Sequence, residues 1–519
     1  MSPRVVSVKE AVAAIVDGAT VVTDGFTMMG VAEAVFAGIE DSFLQTDHPR
    51  DLVVVHASGQ SNRHLGFEHF ANKGLVRRIV GSHWGLMPRM SAFLGQDQAE
   101  AVCLPQGQIS TLLRAIAAGR PGNLSRIGRG TFVDPRLGGG KMNPSAVAEA
   151  PDYVSLVPID GQDYLLYKAF PVDVGIIRAT SVDEDGNCSQ EEEAVVLDAL
   201  AIAQAAHNSG GVVICQTKRL VPRGSIPPKQ VAVPGCLIDF VVVATDPERQ
   251  HRQTDAAAFD PVYVSPSGGG KRENAAPVTI EPEPQDARRL MIGRSAVRFL
   301  HRGDVVNVGT GIPGDTVAKS LVELGLIDSV VMTVESGVYG GIAAGGIDFG
   351  IAAHPSAIIP HPAQFDFYDG GGVDTTFMGA GQVDASGNVN VSRLGGRVVG
   401  CGGFIDIVQS ARQVCFCFPF ESKFPKFVDR VDHLTFSAQE ALRQGQDVLY
   451  ITERAVFRLE SGGLRLIEVA PDVDVQRDVL DLLPFPVLVD EPVARAPVDL
   501  LSGGAPNHEL KPPRVRSTT

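Results

Sequence analysis

The chain lacks the residues that usually announce a disulfide scaffold, a metal centre or a membrane protein. Its seven cysteines include no CxxC pair and sit in apolar runs such as Val212-Val-Ile-Cys215 and Val414-Cys-Phe-Cys-Phe418, the setting of buried, reduced thiols. No His/Cys/Asp cluster has metal-ligand spacing, and no GxSxG elbow occurs. Long apolar runs are missing too: no segment holds eighteen uncharged apolar residues, and only the short run 11–16 follows Lys9 and Glu10. A cytoplasmic protein without targeting signal or membrane span is expected. Positive charge is in deficit, with 45 Lys and Arg against 60 Asp and Glu and a net charge of −15. That argues against nucleic acid or an anionic membrane as main partner, while leaving room for a local basic pocket.

Two lysines suggest phosphate loops, but neither fits. Gly140-Lys141 is followed by Met142 and Gly270-Lys271 by Arg272, where a P-loop needs Ser or Thr, and Pro135 and Ser265 stand where it needs its first glycine.

What is present is ample core. In 519 residues, 44% are apolar and 20% charged, which indicates two or three globular domains. Ser7-Val-Lys-Glu10 is a capping box opening a first helix, the run 20–23 reads as a strand entering Asp24-Gly25-Phe26, and a helical pattern starts at Val31. Leu52-Val-Val-Val-His56, Val212-Val-Ile-Cys215 and Phe240-Val-Val-Val-Ala244 are β-branched runs suited to strands covered on both faces. An α/β fold follows. From about Asp246 the texture becomes polar and Gly/Pro-rich without periodicity, through Ser265-Pro-Ser-Gly-Gly-Gly and Glu281-Pro-Glu-Pro284. This divides the chain into a first domain (1–250), a linker (251–285), a second domain (286–496) opening on a helix from Ala287, and a tail (497–519).

The two domains echo each other. Asp17-Gly-Ala-Thr-Val-Val-Thr-Asp-Gly25 overlays without gaps on Arg302-Gly-Asp-Val-Val-Asn-Val-Gly-Thr310, and Val182-Asp-Glu-Asp-Gly-Asn187 on Val383-Asp-Ala-Ser-Gly-Asn388. The spacing between echoes differs by about eighty residues, so the first copy carries an insertion, to which 81–140 contributes. Sites between duplicated domains are common.

One stretch organises the search for chemistry. The β-type run 330–334 delivers Glu335 into Ser336-Gly337-Val-Tyr-Gly340-Gly341, the edge where parallel sheets present ligands. Glu335 is either a nucleophile or a capping or ion-pairing residue. Upstream, Gly309-Thr-Gly311-Ile-Pro-Gly314 matches GxGxxG, and Glu335 stands about where a ribose-binding acid belongs. Pro313 inside the motif and the long glycine-rich stretch after Glu335 weigh against a dinucleotide; the alternative is a turn that allows close strand–helix packing. Three further glycine turns offer backbone donors: Pro105-Gln106-Gly107, Gln364-Phe-Asp-Phe-Tyr368 with its following glycines, and Gly400-Cys-Gly402-Gly403. The pair His83-Trp84 reads as packing or pocket lining.

Together these residues resemble the class I coenzyme A transferases, and within them the fused single-chain short-chain acyl (acetate or propionate) enzymes. The resemblance runs in order through nearly the whole chain: Asp17 to Phe26, His83-Trp84-Gly85, Pro105-Gln-Gly107, Gly130-Thr-Phe-Val-Asp-Pro135, Val334-Glu-Ser-Gly337, Gln364 to Tyr368, Gly402-Gly-Phe-Ile-Asp406 and Tyr450-Ile-Thr-Glu-Arg454. It departs where the family usually has Gly-Gly-Phe and a later proline, here Asp24-Gly25-Phe26 and Ala32. The resemblance implies two similar open α/β domains with mostly parallel sheets covered by helices, Glu335 as the catalytic carboxylate, and CoA as substrate and covalent intermediate with no cofactor or metal. Acyl-CoA and short-chain carboxylates are the implied partners, and a homo-oligomer, dimer or tetramer, the implied assembly. For the tetrahedral intermediates of such chemistry, the Gln106 amide and the N–H groups of Gly402 and Gly403 are the oxyanion candidates. Gly309, Gly311 and Gly337 are candidates for letting CoA approach the backbone. Because Glu335 must be ionised to attack, its pKa is expected not to be raised far. An acyl-CoA hydrolase and a non-catalytic sensor on the same fold are the competing readings.

Overall fold

The computed structural model describes residues 3–265, 287–498 and 510–514. Its first half is built on eight parallel strands in the order Arg4–Val6, Phe240–Val243, Val212–Val221, Val174–Asp183, Thr20–Thr23, Leu52–His56, Val76–Gly81, Glu100–Cys103. All ten residues of Val174–Asp183 are buried, as expected of a central strand covered by helices on both faces. The capping box forms as read: Ser7 Oγ accepts from Glu10 N–H at 3.2 Å while Glu10 Oε2 accepts from Ser7 N–H at 2.9 Å, opening the helix Val8–Val12. The next helix, Glu33–Thr46, starts two residues after Val31.

In the second half, five strands run parallel: Val331–Val334, Val305–Val308, Thr375–Met378, Gln413–Cys417 and Asp447–Ile451. Beyond them the sheet turns antiparallel through Ala455–Glu460 and Gly463–Val469. Tight turns at 452–454 and 461–462 allow this meander, whereas a parallel return needs a crossover. At the other edge Val338–Tyr339 and Ala357–Ile358 also pair antiparallel. The second sheet is thus parallel at its centre with antiparallel pairs toward its edges.

The echoes are structural. Thr20–Thr23 and Val305–Val308 hold the same place, each paired on one side with the next large strand in sequence and on the other with a strand that leads to an Asp–Asn loop, directly from Val174–Asp183 and by way of Gln382–Asp384 from Thr375–Met378. In both loops one aspartate oxygen accepts two backbone N–H groups and the other accepts the asparagine amide. The distances are 2.9, 2.9 and 3.1 Å at Asp183 and 3.0, 3.0 and 3.1 Å at Asp384. Both copies place two further strands at the sheet edge beyond that next large strand and then a helix entered from a proline, Gln106–Ala117 after Pro105 and His361–Phe367 after Pro360; the first copy adds a small antiparallel sheet of Gly122–Ser125, Val154–Ile159 and Gln162–Lys168.

Two boundary readings change. The stretch read as linker starts as packed structure: His251, Gln253 and Thr254 are buried, His251 Nε2 lies 3.0 Å from Glu193, and Asp255 N–H donates to Asp348 across the halves at 2.7 Å. The rest of that stretch, 266–285, lies outside the described residues. Within the tail, Leu510–Arg514 returns to the second half, where Arg302 N–H donates to Lys511 at 2.9 Å and Arg514 pairs with Asp304 at 3.0 Å. Six cysteines are buried free thiols, as expected, but Cys236 is exposed. No helix among the described residues is long and apolar enough to cross a membrane, and none of their His, Cys, Asp and Glu side chains group as a metal site.

Candidate active site

Glu335 stands at the carboxyl end of Val331–Val334, beside the point where the chain leaves Val305–Val308 first to one side and then to the other. Open α/β sheets place ligands at such switch points. A cavity of ≈ 340 Å³ opens there between the halves. Glu335, Gly309, Gly402 and Gly403 line it from the second half, and Gln106 and His83 from the first.

Glu335 is 8% exposed, and its Oε2 is fully buried with no hydrogen-bond partner among the described residues. Burial pushes its pKa up to about 7, against the opposing pull of its own backbone N–H, Asn307 and His361. The expectation of a little-raised pKa is thus corrected. A desolvated carboxylate disfavours charge, and burial outweighs those opposing pulls. Beneath it lies a tight polar floor: Asn307 Nδ2 donates to Tyr368 Oη at 3.2 Å, Tyr368 Oη meets Thr333 Oγ1 at 2.7 Å, and Thr376 Oγ1 donates to Asn307 Oδ1 at 3.1 Å.

The helix Gln106–Ala117 brings its first side chain to the cavity. Its start is anchored by a buried acid pair from the second half: Asp406 accepts Gly107 N–H at 3.2 Å and Gln108 Nε2 at 3.0 Å, and Asp369 accepts Gln108 Nε2 at 2.7 Å. Carboxylates at a helix N-terminus are stabilised by its orphan N–H groups. Burial raises both acids, Asp406 to about 7. Backbone bonds close the seam. Trp84 N–H donates to Val399 at 2.7 Å, Gly402 N–H to Ser82 at 2.9 Å and Gln106 N–H to Gly402 at 3.0 Å.

Those bonds redistribute the candidate roles. Gly402 N–H is spent on Ser82, so it is not an oxyanion donor. Gly403 N–H has no acceptor among the described residues, and a Cβ at Gly403 would lie 3.6 Å from Glu335 Cγ, which puts that backbone against the carboxylate. Gly309 lines the cavity, but its N–H donates to Phe377 at 2.8 Å and a Cβ there would lie 2.6 Å from Met378 Sδ. The glycine motif therefore permits close packing. Gly311, exposed at the start of Ile312–Glu323, and Gly337, whose Cβ would meet Ile359 carbonyl oxygen at 2.1 Å, do not line the cavity. His83 lines the cavity with its pKa pushed down to about 4 by burial, while Trp84 is fully buried and donates to His56 at 3.0 Å.

Sequence reasoning missed His361, Asp198 and Asn307. Gln106 Nε2 lies 2.9 Å from His361 Nε2, and His361 Nδ1 lies 2.7 Å from Asp198 Oδ2. None of the three sits in a motif of its own, and only tertiary proximity reveals them.

Comparison with known proteins agrees with this architecture. Residues 5–244 match the model of the Coenzyme A transferase family. The chain is 39% identical to the caffeate CoA-transferase of Acetobacterium woodii over 93% of its own length and 94% of that protein's. It is also 39% identical to the acetate CoA-transferase YdiF of Escherichia coli K12, over 94% and 93%. Crystal structures of the acyl-CoA transferase YdiF from Escherichia coli O157:H7, as apoenzyme and as a thioester complex with CoA, superpose with a TM-score of 0.90 at 35% identity, covering 99% of this chain and 98% of theirs. With similarity of this extent across both halves, the chain belongs to the coenzyme A transferase family and is a CoA-transferase.

Proposed function

We propose that Glu335 carries CoA from a short-chain acyl-CoA to an acceptor carboxylate in a ping-pong cycle. Moving CoA between acids without ATP calls for a carrier that is itself a carboxylate. A Glu335 oxygen attacks the acyl carbonyl and the C–S bond breaks, giving an acyl-glutamyl anhydride and CoA thiolate. The thiolate attacks the glutamyl carbonyl, the C–O bond breaks, and the donor acid leaves behind a glutamyl-CoA thioester. An acceptor carboxylate then attacks that thioester, and the thiolate returns to the new acyl group, freeing Glu335. Gly403 N–H and the Gln106 amide stabilise the tetrahedral oxyanions, each contributing about 3 kcal/mol when aligned.

The observation that carries this reading is that Glu335 lines a cavity shared by both halves while its buried Oε2 has no hydrogen-bond partner among the described residues. The relatives' names support transfer between acyl-CoA and acids, and the CoA thioester complex of the Escherichia coli enzyme supports a thioester. Acetate or propionate is the proposed acid class, and a dimer or tetramer the proposed assembly, which light scattering tests. Purified protein with acetyl-CoA and a panel of short carboxylates should form new acyl-CoA at a rate set by the acceptor. CoA release unchanged by any acceptor would identify a hydrolase instead.

A further inference from the structure

The carboxamide of Gln106 is held by a closed ring of buried side chains that crosses between the halves twice, out to His361 and back to Asp198. Gln106, His361, Asp198 and Ser110 are each at most 4% exposed. Asp198 Oδ2 lies 2.7 Å from His361 Nδ1, and Asp198 Oδ1 accepts Ser110 Oγ at 2.5 Å. Ser110 sits four residues after Gln106 on the helix Gln106–Ala117, hence on the same face. A carboxylate only accepts, so the ring proton facing Asp198 is on Nδ1. An amide nitrogen only donates, so Nε2 of His361 is the bare acceptor for Gln106. Backbone bonds fix the two partners: His361 N–H donates to Leu197 carbonyl at 3.1 Å, and Asp198 N–H to Asp24 Oδ1 at 3.2 Å. The last contact gives Asp24, where the family usually has glycine, a place in the same support.

We propose that His361, oriented by Asp198, is the positioning residue for Gln106, setting where its carboxamide stands relative to Glu335 and which tautomer accepts from it. This rests on the proposed role of Gln106 in stabilising oxyanions. His361 acts through Gln106 and does not touch substrate, following the logic by which a third group orients a catalytic pair.

The test is a double-mutant cycle on the full chain with acetyl-CoA and an acceptor acid. His361→Ala alone should lower kcat about 10- to 100-fold with KM for acetyl-CoA changed less than about threefold, because misplacement weakens a transition-state contact. In a Gln106→Ala background the same change should cost less than about twofold, since the group it positions is gone. His361→Gln, which keeps a polar end near Gln106, should recover part of the loss, and this variant with Asp198→Asn replaces the alanine variant if that fails to fold. Losses that multiply in the double variant, a loss that appears in KM, or an unchanged kcat in His361→Ala each overturn the proposal. Wild-type protein is assayed in parallel for a glutamyl-CoA adduct: its absence rejects the proposed function itself, while its presence with multiplying losses rejects only the role of His361.

Discussion

The two halves share a frame but divide the chemistry. When Thr20 is laid on Val305, their sheet partners Val53 and Val331 also coincide, and counting on from these Ala57-Ser58-Gly59 falls on Glu335-Ser336-Gly337. The first half keeps the serine and glycine of the turn and has alanine where the second has its carboxylate. What it supplies instead is the helix that presents Gln106. A duplicated fold thus became one site by placing the acid in one copy and a carboxamide in the other, with the cavity between them.

The most damaging way to break this division is to remove the acid. Glu335→Gln should abolish transfer, by at least about four orders of magnitude in kcat, and adding Ala57→Glu should not restore it. Rescue by Ala57→Glu would mean the copies are interchangeable. Shortening the acid is milder: Glu335→Asp should cost about 100- to 1000-fold, because a methylene moves the attacking oxygen by about 1 Å. On the other side of the cavity, Gln106→Ala should cost about 100-fold in kcat, read by steady-state kinetics with acetyl-CoA.

The same contrast has a signature in pH. Only ionised Glu335 attacks, so kcat/KM should rise with pH and level off above a midpoint near the raised pKa of about 7. A midpoint near 4.5, the ordinary glutamate value, would mean that the acid is solvated in the free enzyme. The smallest expected effect on turnover lies at Glu193, buried in the first half against Arg178, whose guanidinium also reaches the carbonyls of Met28 and Val31. Although burial alone would raise it, Arg178 and His251 hold Glu193 down to about 2. A depressed carboxylate stabilises the fold above its unfolded pKa and loses that contribution as pH falls through the folded one. Acid unfolding should therefore draw on Glu193 between about pH 4.5 and 2. Glu193→Gln should destabilise by about 3 kcal/mol in denaturant melts, with turnover per folded molecule nearly unchanged.

Much of this frame is legible in the sequence. The Asp183 and Asp384 loops could be paired from sequence because Asp, Gly and Asn at fixed offsets impose one turn. Glu335 stood out because a β-branched run meeting glycines is a local signal. Roles that depend on the far half were hidden. The loss of Gly402 N–H to Ser82, and the ring through His361 and Asp198, depend on residues 163 to 320 positions apart. The raised pKa of Glu335 is hidden in the sequence because its burial depends on tertiary packing around the strand end, with Asn307, His361 and Gly403 brought there from separate segments. The antiparallel end of the second sheet escaped because its short strands read as those of a parallel sheet do.

The most direct measurement is to mix the protein with acetyl-CoA without acceptor, quench, and locate covalent CoA by peptide mass mapping. The expected result is a thioester on the peptide containing Glu335, carrying the mass of CoA less one water, absent from Glu335→Gln. CoA bound covalently elsewhere, or an equal signal from Glu335→Gln, would contradict a carboxylate carrier in the second half.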